Sequence, residues 1–185
     1  MNPRLLPWVL AFGGGVGLVA SLVLTVEKIA LLKNPAYVPS CSIDPVLSCG
    51  SIMRTWQAEF FGFPNPLLGI AGFAVVTTVG VVLLTGARLP RWFWLGTQFG
   101  ALLGVLFVHW LMYQSLYVIG ALCPYCVIVW LVTILVFWYT TLHNLPPGRL
   151  GAVLTGYHGV VLTVWYLLVV LAVLQAFWTY WLTVF

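Results

Sequence analysis

Five long apolar segments restrict this chain to one class of fold. Each is close to or longer than the roughly 20 residues that an α-helix needs to cross a bilayer core. Hydrophobic residues make up 63% of the 185 residues and charged residues only 5%, against roughly 25% charged residues in a soluble domain. The sequence predicts an all-α integral membrane protein with a single membrane domain, residues 1–185. The predicted membrane helices cover residues 8–26, 66–85, 92–119, 123–142 and 157–185.

The few basic residues predict how the chain crosses the membrane, because Lys and Arg are enriched in cytoplasmic loops. One side of a five-helix chain holds Arg4, Arg88, Arg91 and Arg149, and the other holds Lys28, Lys33 and Arg54. This bias places the amino terminus in the cytoplasm and the loop of residues 32–65 outside. The first segment is too long for the apolar part of a signal peptide, so it is predicted to remain as a helix. The net charge of +4 is small and scattered, so no nucleic-acid partner is expected.

All four cysteines fall on the predicted outer side, which is the oxidising side of a bacterial or secretory membrane. Cys41 and Cys49 lie in the outer loop, and Cys123 and Cys126 open the fourth helix as CPYC. Pro124 suits the first helical position, so both later sulfurs are predicted in the first turn. The helix dipole and free N–H groups there favour a thiolate. Desolvation at the membrane edge opposes it, and the sequence leaves the balance open.

The two cysteine pairs indicate a thiol relay. A C-x-x-C pair can close a small exchangeable disulfide, and the Pro- and Ser-rich segment around Cys41 and Cys49 is predicted to be mobile. Such a pair can exchange with a soluble protein and then with the fixed pair, since exchange needs only thiolate access and sulfur contact. In a bilayer the expected two-electron acceptor is a quinone. Two alternatives remain, namely structural disulfides and a zinc site formed by the four cysteines.

Catalysis by a pair of carboxylates is not expected, because Glu27, Asp44 and Glu59 are scattered along the sequence. Residues 51–61 place Ile52, Trp56 and Phe60 on one helical stripe. This pattern predicts a short amphipathic helix at the membrane surface, with Ser51 as its N-cap and Arg54, Gln57 and Glu59 off the apolar stripe. The helix is either a cover over the bundle or a plain connector.

Small and polar residues in the third helix are predicted to serve packing. Gly96, Gly100 and Gly104 form a doubled G-x-x-x-G, which lets helices approach closely in lipid. Polar side chains are costly in a membrane and face the bundle interior. His109 is predicted to have a hydrogen-bonded packing role. The other polar residues of this helix are Gln98 and Gln114.

Taken together, these motifs resemble the vitamin K epoxide reductase family, and more closely its bacterial branch, which oxidises thioredoxin-like partners. The matching features are C-x7-C-G-S from Cys41, the amphipathic segment, FGFPNPLLG at residues 61–69 and the helix-opening CPYC. The resemblance covers about residues 8–142. It implies a four-helix bundle around a quinone, with the loop helix as a cover and a fifth, peripheral membrane helix.

The resemblance also implies roles for the cysteines. Cys41 would exchange with the external thiol, and Cys49 would form a transient disulfide with Cys123. Cys126 would then be the thiolate that faces the quinone. The implied location is the bacterial inner (plasma) membrane, with the active site on its outer face. The quinone can be menaquinone, ubiquinone or vitamin K.

Two further positions are implied to bind the quinone. Asn65 matches a family residue that hydrogen-bonds a quinone carbonyl; as an Asn between prolines it also suits a turn or cap. In animal members the second carbonyl partner is a tyrosine four residues after the last motif cysteine. That position here is Trp130, whose indole N–H is also a donor but has a different reach.

The chain departs from those bacterial members that carry a thioredoxin domain after a fifth helix. The expected partners are therefore membrane lipid and a separate thioredoxin-like disulfide carrier. One rival is the disulfide-bond formation protein B family, in which the C-x-x-C pair lies in the first outer loop, the reverse of the order here. The other rival is a membrane scaffold whose cysteines form structural bridges.

Overall fold

The computed structural model describes residues 5–184 and has the predicted all-α membrane architecture. Arg4 and Phe185, which the sequence predictions included, lie outside this range. Five of the described helices are long and apolar enough to cross a membrane, which confirms the fold class. The helices are α1 (Leu5–Lys33), α2 (Cys49–Met53), α3 (Pro66–Leu84), α4 (Arg91–Tyr113, continued by the π-helical Gln114–Ile119), α5 (Pro124–Asn144), α6 (Arg149–Gly156), α7 (His158–Ala176) and α8 (Trp178–Val184).

Helices α1, α3, α4 and α5 form a bundle, in which α1 packs on α3 and α5, and α4 packs on α5. Helix α7 lies outside this bundle and is largely exposed, as expected for a peripheral helix in lipid. His109 joins α4 to α7, because its Nε2 accepts the indole N–H of Trp165 at 3.1 Å. Its Nδ1 lies 2.7 Å from the Val105 carbonyl, so both ring nitrogens have partners. The predicted packing role of His109 is therefore confirmed.

Close helix packing occurs at glycines other than the predicted ones. A Cβ atom on Gly80 of α3 would lie 2.2 Å from the backbone nitrogen of Ala11, so α1 and α3 approach each other there. Gly96 and Gly100, in contrast, face open space, and a Cβ on Gly104 would meet only a methyl group at 3.5 Å. The packing role predicted for Gly96 and Gly100 is therefore wrong, whereas Gly104 does lie near Thr133 of α5. Gly96 and Gly100 line an internal cavity instead, and their missing side chains enlarge it.

The predicted amphipathic helix is interrupted. Helix α2 ends at Met53, and a separate 3₁₀ turn, Trp56–Glu59, follows after Thr55, whose backbone is extended. The N-cap is Ser48, whose hydroxyl accepts the N–H of Ser51, so Ser51 is not the cap. The helix therefore begins two residues before the predicted cap, which brings Cys49 into its first turn. Residues 50–65 are called the cover segment below, because they lie over one end of the bundle and line the cavity.

The glycine contacts predict a difference between two substitutions in the same helix. Gly80→Ala should destabilise the protein by about 1–3 kcal/mol, because the new methyl group meets backbone that cannot move aside. Gly72→Ala faces open space and should be neutral or stabilising by up to about 1 kcal/mol, since Ala is the better helix former. Thermal unfolding in detergent measures both. Equal midpoints for the two variants would contradict the close packing of α1 on α3.

Candidate functional site

A short backbone pairing brings the two cysteine segments together. Leu47 and Leu122 form a parallel bridge, in which the Leu122 N–H donates to Val46 O at 2.7 Å and the Ser48 N–H donates to Leu122 O at 3.0 Å. Gly120 permits this pairing, because its left-handed φ of 69° ends the π-helical segment and turns the chain back. The bridge lies two residues before Cys49 and one residue before Cys123, so these two cysteines become neighbours.

The sulfur atoms of three cysteines form one cluster. Cys41 and Cys49 are joined by a disulfide, whereas Cys123 and Cys126 are free thiols. The Sγ atoms of Cys49 and Cys123 are 3.0 Å apart. The sulfurs of Cys41, Cys49 and Cys123 all lie within 4.8 Å of one another, but zinc binds thiolates and two of these sulfurs share a disulfide. The arrangement suits thiol–disulfide exchange, which needs sulfur contact.

Cys123 is placed to act as a thiolate. It is the N-cap of α5, and its Sγ accepts the backbone N–H of Cys126 at 3.4 Å. Hydrogen bonding from the Cys126 thiol lowers the pKa of Cys123, the N–H groups of Cys126 and Tyr125 act in the same direction, and burial opposes them. The balance that the sequence left open therefore favours the thiolate at Cys123. Pro124 occupies the first helical turn, as predicted.

Cys126 lies one turn deeper and lines the internal cavity, whereas the other three cysteines are not among its lining residues. The cavity has a volume of about 580 Å³ and lies between α1, α3, α4, α5 and the cover segment. Its wall is almost entirely apolar. Gly72 of α3 and Gly96 and Gly100 of α4 border it without filling it. The cavity can therefore hold a large apolar molecule beside the Cys126 thiol.

Polar groups gather where the cover segment meets the cavity. The Asn65 Nδ2 donates to the Gln57 carbonyl at 2.6 Å, and its Oδ1 accepts the Phe60 N–H at 3.2 Å. Gln57 in turn donates from Nε2 to Gln114 Oε1 at 3.2 Å. Asn65 thus both lines the cavity and holds the cover segment in shape. It precedes α3 without capping it through its side chain.

Gln57 was not predicted as a site residue. It was expected on the polar face of an amphipathic helix, yet only 6% of it is exposed and it borders the cavity. The aromatic residues of the stripe take the outer position instead, where Trp56 and Phe60 pack against Trp110 of α4. Gln114 is noticeable in the sequence only as a polar residue in a membrane helix. Neither Gln57 Oε1 nor Gln114 Nε2 has a hydrogen-bond partner within residues 5–184, so both remain available to a ligand.

Trp130, the other predicted binding residue, lies on α5 and lines the cavity one turn after Cys126. Only 2% of Trp130 is exposed. Its indole N–H has no hydrogen-bond partner in the described part of the chain. The structure thus places Asn65, Cys126 and Trp130 around one cavity. It places Cys41, Cys49 and Cys123 in the sulfur cluster at one end of it.

Two adjacent charged residues of α1 hold the outer loop in place. Glu27 accepts hydrogen bonds from the Tyr37 hydroxyl at 2.9 Å and from the backbone and side chain of Ser40. Lys28 is buried, donates to the Met53 carbonyl at 2.6 Å and pairs with Glu59 at 2.9 Å. Glu27 therefore fixes the residues before Cys41, and Lys28 fixes the cover segment. No pattern in the sequence indicated that Glu27 and Lys28 hold the outer loop.

A family model described as the vitamin K epoxide reductase family matches residues 8–141, which is more than half of the chain. This range agrees with the resemblance that the sequence motifs indicated. A search of curated proteins found no significant match.

The contacts of Lys28 predict a change in protease sensitivity. Lys28→Met removes both the ion pair to Glu59 and the hydrogen bond to Met53, so the cover segment should detach more often. Brief trypsin treatment should then cleave faster after Arg54, which directly follows Met53. Lys33→Met is the matched control, because Lys33 is exposed at the end of the same helix. Equal cleavage rates at Arg54 in both variants would show that Lys28 does not hold the cover segment.

Proposed function

Because the chain belongs to the vitamin K epoxide reductase family, we propose that it is a quinone-dependent thiol oxidoreductase that supports disulfide-bond formation. The observation that carries this proposal is the 3.0 Å contact between Cys49 and Cys123. It connects a disulfide in the outer loop with a thiol pair whose second member, Cys126, borders an apolar cavity. A membrane scaffold with structural bridges would give the free thiols of Cys123 and Cys126 no role.

Electrons enter at the outer pair. A thiolate of a reduced thioredoxin-like partner attacks Cys41, which forms a mixed disulfide and releases the Cys49 thiolate. The second partner thiol then attacks the mixed disulfide, so the partner leaves oxidised and Cys41 becomes a thiol. Two electrons have passed from the partner to the outer pair, and each bond formed replaces one that was broken.

The same exchange then moves the electrons to the inner pair. The Cys49 thiolate attacks Cys123 in an oxidised Cys123–Cys126 disulfide, and Cys126 leaves as a thiolate. Cys41 next attacks Cys49 and releases the Cys123 thiolate. The outer pair is then a disulfide and the inner pair is reduced, which is the cysteine arrangement of the structure. The lowered pKa of Cys123 favours the last step, because a thiol of lower pKa is the better leaving group and Cys126, once protonated again, donates a hydrogen bond to the departing sulfur.

The residues around the cavity fit a quinone, and members of the family generally use quinones. When bound, a quinone accepts two electrons and two protons. Cys126 would hold its thiolate against the ring, and Asn65 would donate to one carbonyl oxygen. Gln114 adds a second amide donor at this end, and Trp130 adds an indole N–H. The apolar wall would take an isoprenoid chain, a feature that menaquinone, ubiquinone and vitamin K share.

Orientation in the membrane follows from the charges. We place the cysteine end on the outer face of a bacterial inner (plasma) membrane and the amino terminus in the cytoplasm. Arg88 in the loop between α3 and α4, and Arg91 at the start of α4, lie at the opposite end of the bundle from Cys123 by chain connectivity. The partner is then a separate thioredoxin-like disulfide carrier that reaches the outer loop from the extracytoplasmic side.

The proposed order of exchange predicts a trapped species. In Cys126→Ala, Cys123 can still exchange with Cys49, but no thiol remains to resolve the bond from the inner side. A Cys49–Cys123 disulfide should accumulate, with Cys41 free. Trypsin cleaves after Arg88 and Arg91, between the two cysteines, so denatured, alkylated protein should yield two fragments joined by a disulfide.

Mass spectrometry of the joined fragments identifies the cysteines. The control is the double variant Cys123→Ala with Cys126→Ala, in which the fragments must separate without a reductant. If Cys126→Ala also gives only separate fragments, the assigned order of exchange is wrong.

Quinone turnover tests the function itself. Purified protein should reduce a quinone anaerobically in the presence of a dithiol donor, and Cys126→Ala should lose this activity, because no thiolate would then border the cavity. The loss of quinone absorbance measures the reaction, and circular dichroism verifies the fold of both proteins. Absence of turnover with menaquinone, ubiquinone and vitamin K analogues in folded wild-type protein would favour the scaffold with structural disulfides.

A further inference from the structure

The turn between the two outer cysteines is held by one carboxylate. Asp44 Oδ1 accepts the backbone N–H groups of Val46 and Leu47, each at 2.8 Å. The other oxygen, Oδ2, accepts the hydroxyl of Tyr180 at 2.6 Å. Residues 41–49 are called the redox loop here. Asp44 therefore both shapes this loop and ties it to the far end of the chain.

Tyr180 belongs to α8, which begins after a break in the fifth predicted helix at Phe177. Phe177 is buried in an apolar cluster that also contains Leu122 of the backbone bridge. Val46 and Leu47 of the redox loop pack against this same cluster, as does Tyr180. Helix α7 is peripheral to the bundle, whereas α8 contacts the redox loop and helps to hold it.

The redox loop as folded faces inward. Cys41 is only 5% exposed and Cys49 is fully buried, so the disulfide touches Cys123 but presents almost no surface to a protein outside. Exchange with an external partner, as in the proposed function, requires sulfur contact with Cys41. The loop must therefore have a second, outward position. The interactions that hold it inward then set the balance between exchange with Cys123 and exchange with the external partner.

We propose that Tyr180 is a positioning residue that holds the redox loop inward, favouring exchange between Cys49 and Cys123 over exchange between Cys41 and an external thiol. The inference rests on the proposed function. The hydrogen bond from Tyr180 to Asp44 joins the loop to the last described helix, and the two residues are 136 positions apart in sequence. Breaking it leaves the Asp44 turn intact, because the turn uses the other carboxylate oxygen.

The charge states of Asp44 and Tyr180 favour the hydrogen bond between them at neutral pH. The hydroxyl of Tyr180 and the N–H groups of Leu47 and Val46 lower the pKa of Asp44, so it remains an ionised acceptor. The carboxylate in turn raises the pKa of Tyr180, so it remains a protonated donor.

Tyr180→Phe tests the proposal through two opposite effects. In a Cys126→Ala background, the Cys49–Cys123 disulfide should form about tenfold more slowly, the order expected for losing one hydrogen bond to a charged group. With all cysteines present, a water-soluble phosphine should reduce the Cys41–Cys49 disulfide faster by a similar factor. Asp44→Asn, which weakens the same tie, should move both rates in the same directions.

Tyr117→Phe is the matched control. Its hydroxyl donates to Gln175 of α7 at 3.4 Å, so it removes a contact to the same region without touching the redox loop. It should leave both rates unchanged. If Tyr180→Phe and Asp44→Asn leave both rates at the wild-type values, or lower both together, the positioning role is overturned. If wild-type protein shows no quinone turnover, the proposed function itself fails.

Discussion

The redox site depends on the backbone bridge between Leu47 and Leu122. Its hydrogen bonds set the register of two segments that lie far apart in the chain, and a shift by one residue would turn the neighbouring side chains to the opposite side. In the observed register Cys49 meets Cys123. Cys126 then lies three residues further on the same helical face, where it borders the cavity. One bridge thus connects the outer disulfide with the interior of the bundle.

Charged residues hold the outer loop in place at the same end of the bundle. Glu27 and Lys28 are the only adjacent charged residues of α1, and each holds a different part of the outer loop. Burying them is costly, so their satisfied hydrogen bonds stabilise the inward arrangement of the loop. Asp44 adds a third tie through Tyr180. The outer loop is rich in proline and serine, yet it is ordered by these few polar contacts.

Glycine has two opposite uses in this bundle. At Gly80 the missing side chain lets α1 and α3 approach, whereas at Gly96 and Gly100 it leaves room for a ligand. The G-x-x-x-G spacing is the same small-residue signal in either case. Only the neighbouring helix decides between them, and no helix covers Gly96 or Gly100 within the described chain.

Much of this protein follows from local patterns in the sequence. Hydropathy alone predicts the membrane helices, and the C-x-x-C spacing indicates Cys123 and Cys126, because these signals act over one or two helical turns. Asn65 was indicated by the family resemblance. The inward position of Gln57, the polar contact of Gln114 and the bond from Tyr180 to Asp44 were decided by tertiary structure. Each joins residues far apart in the chain, and no local periodicity encodes which distant partner a buried polar group will meet.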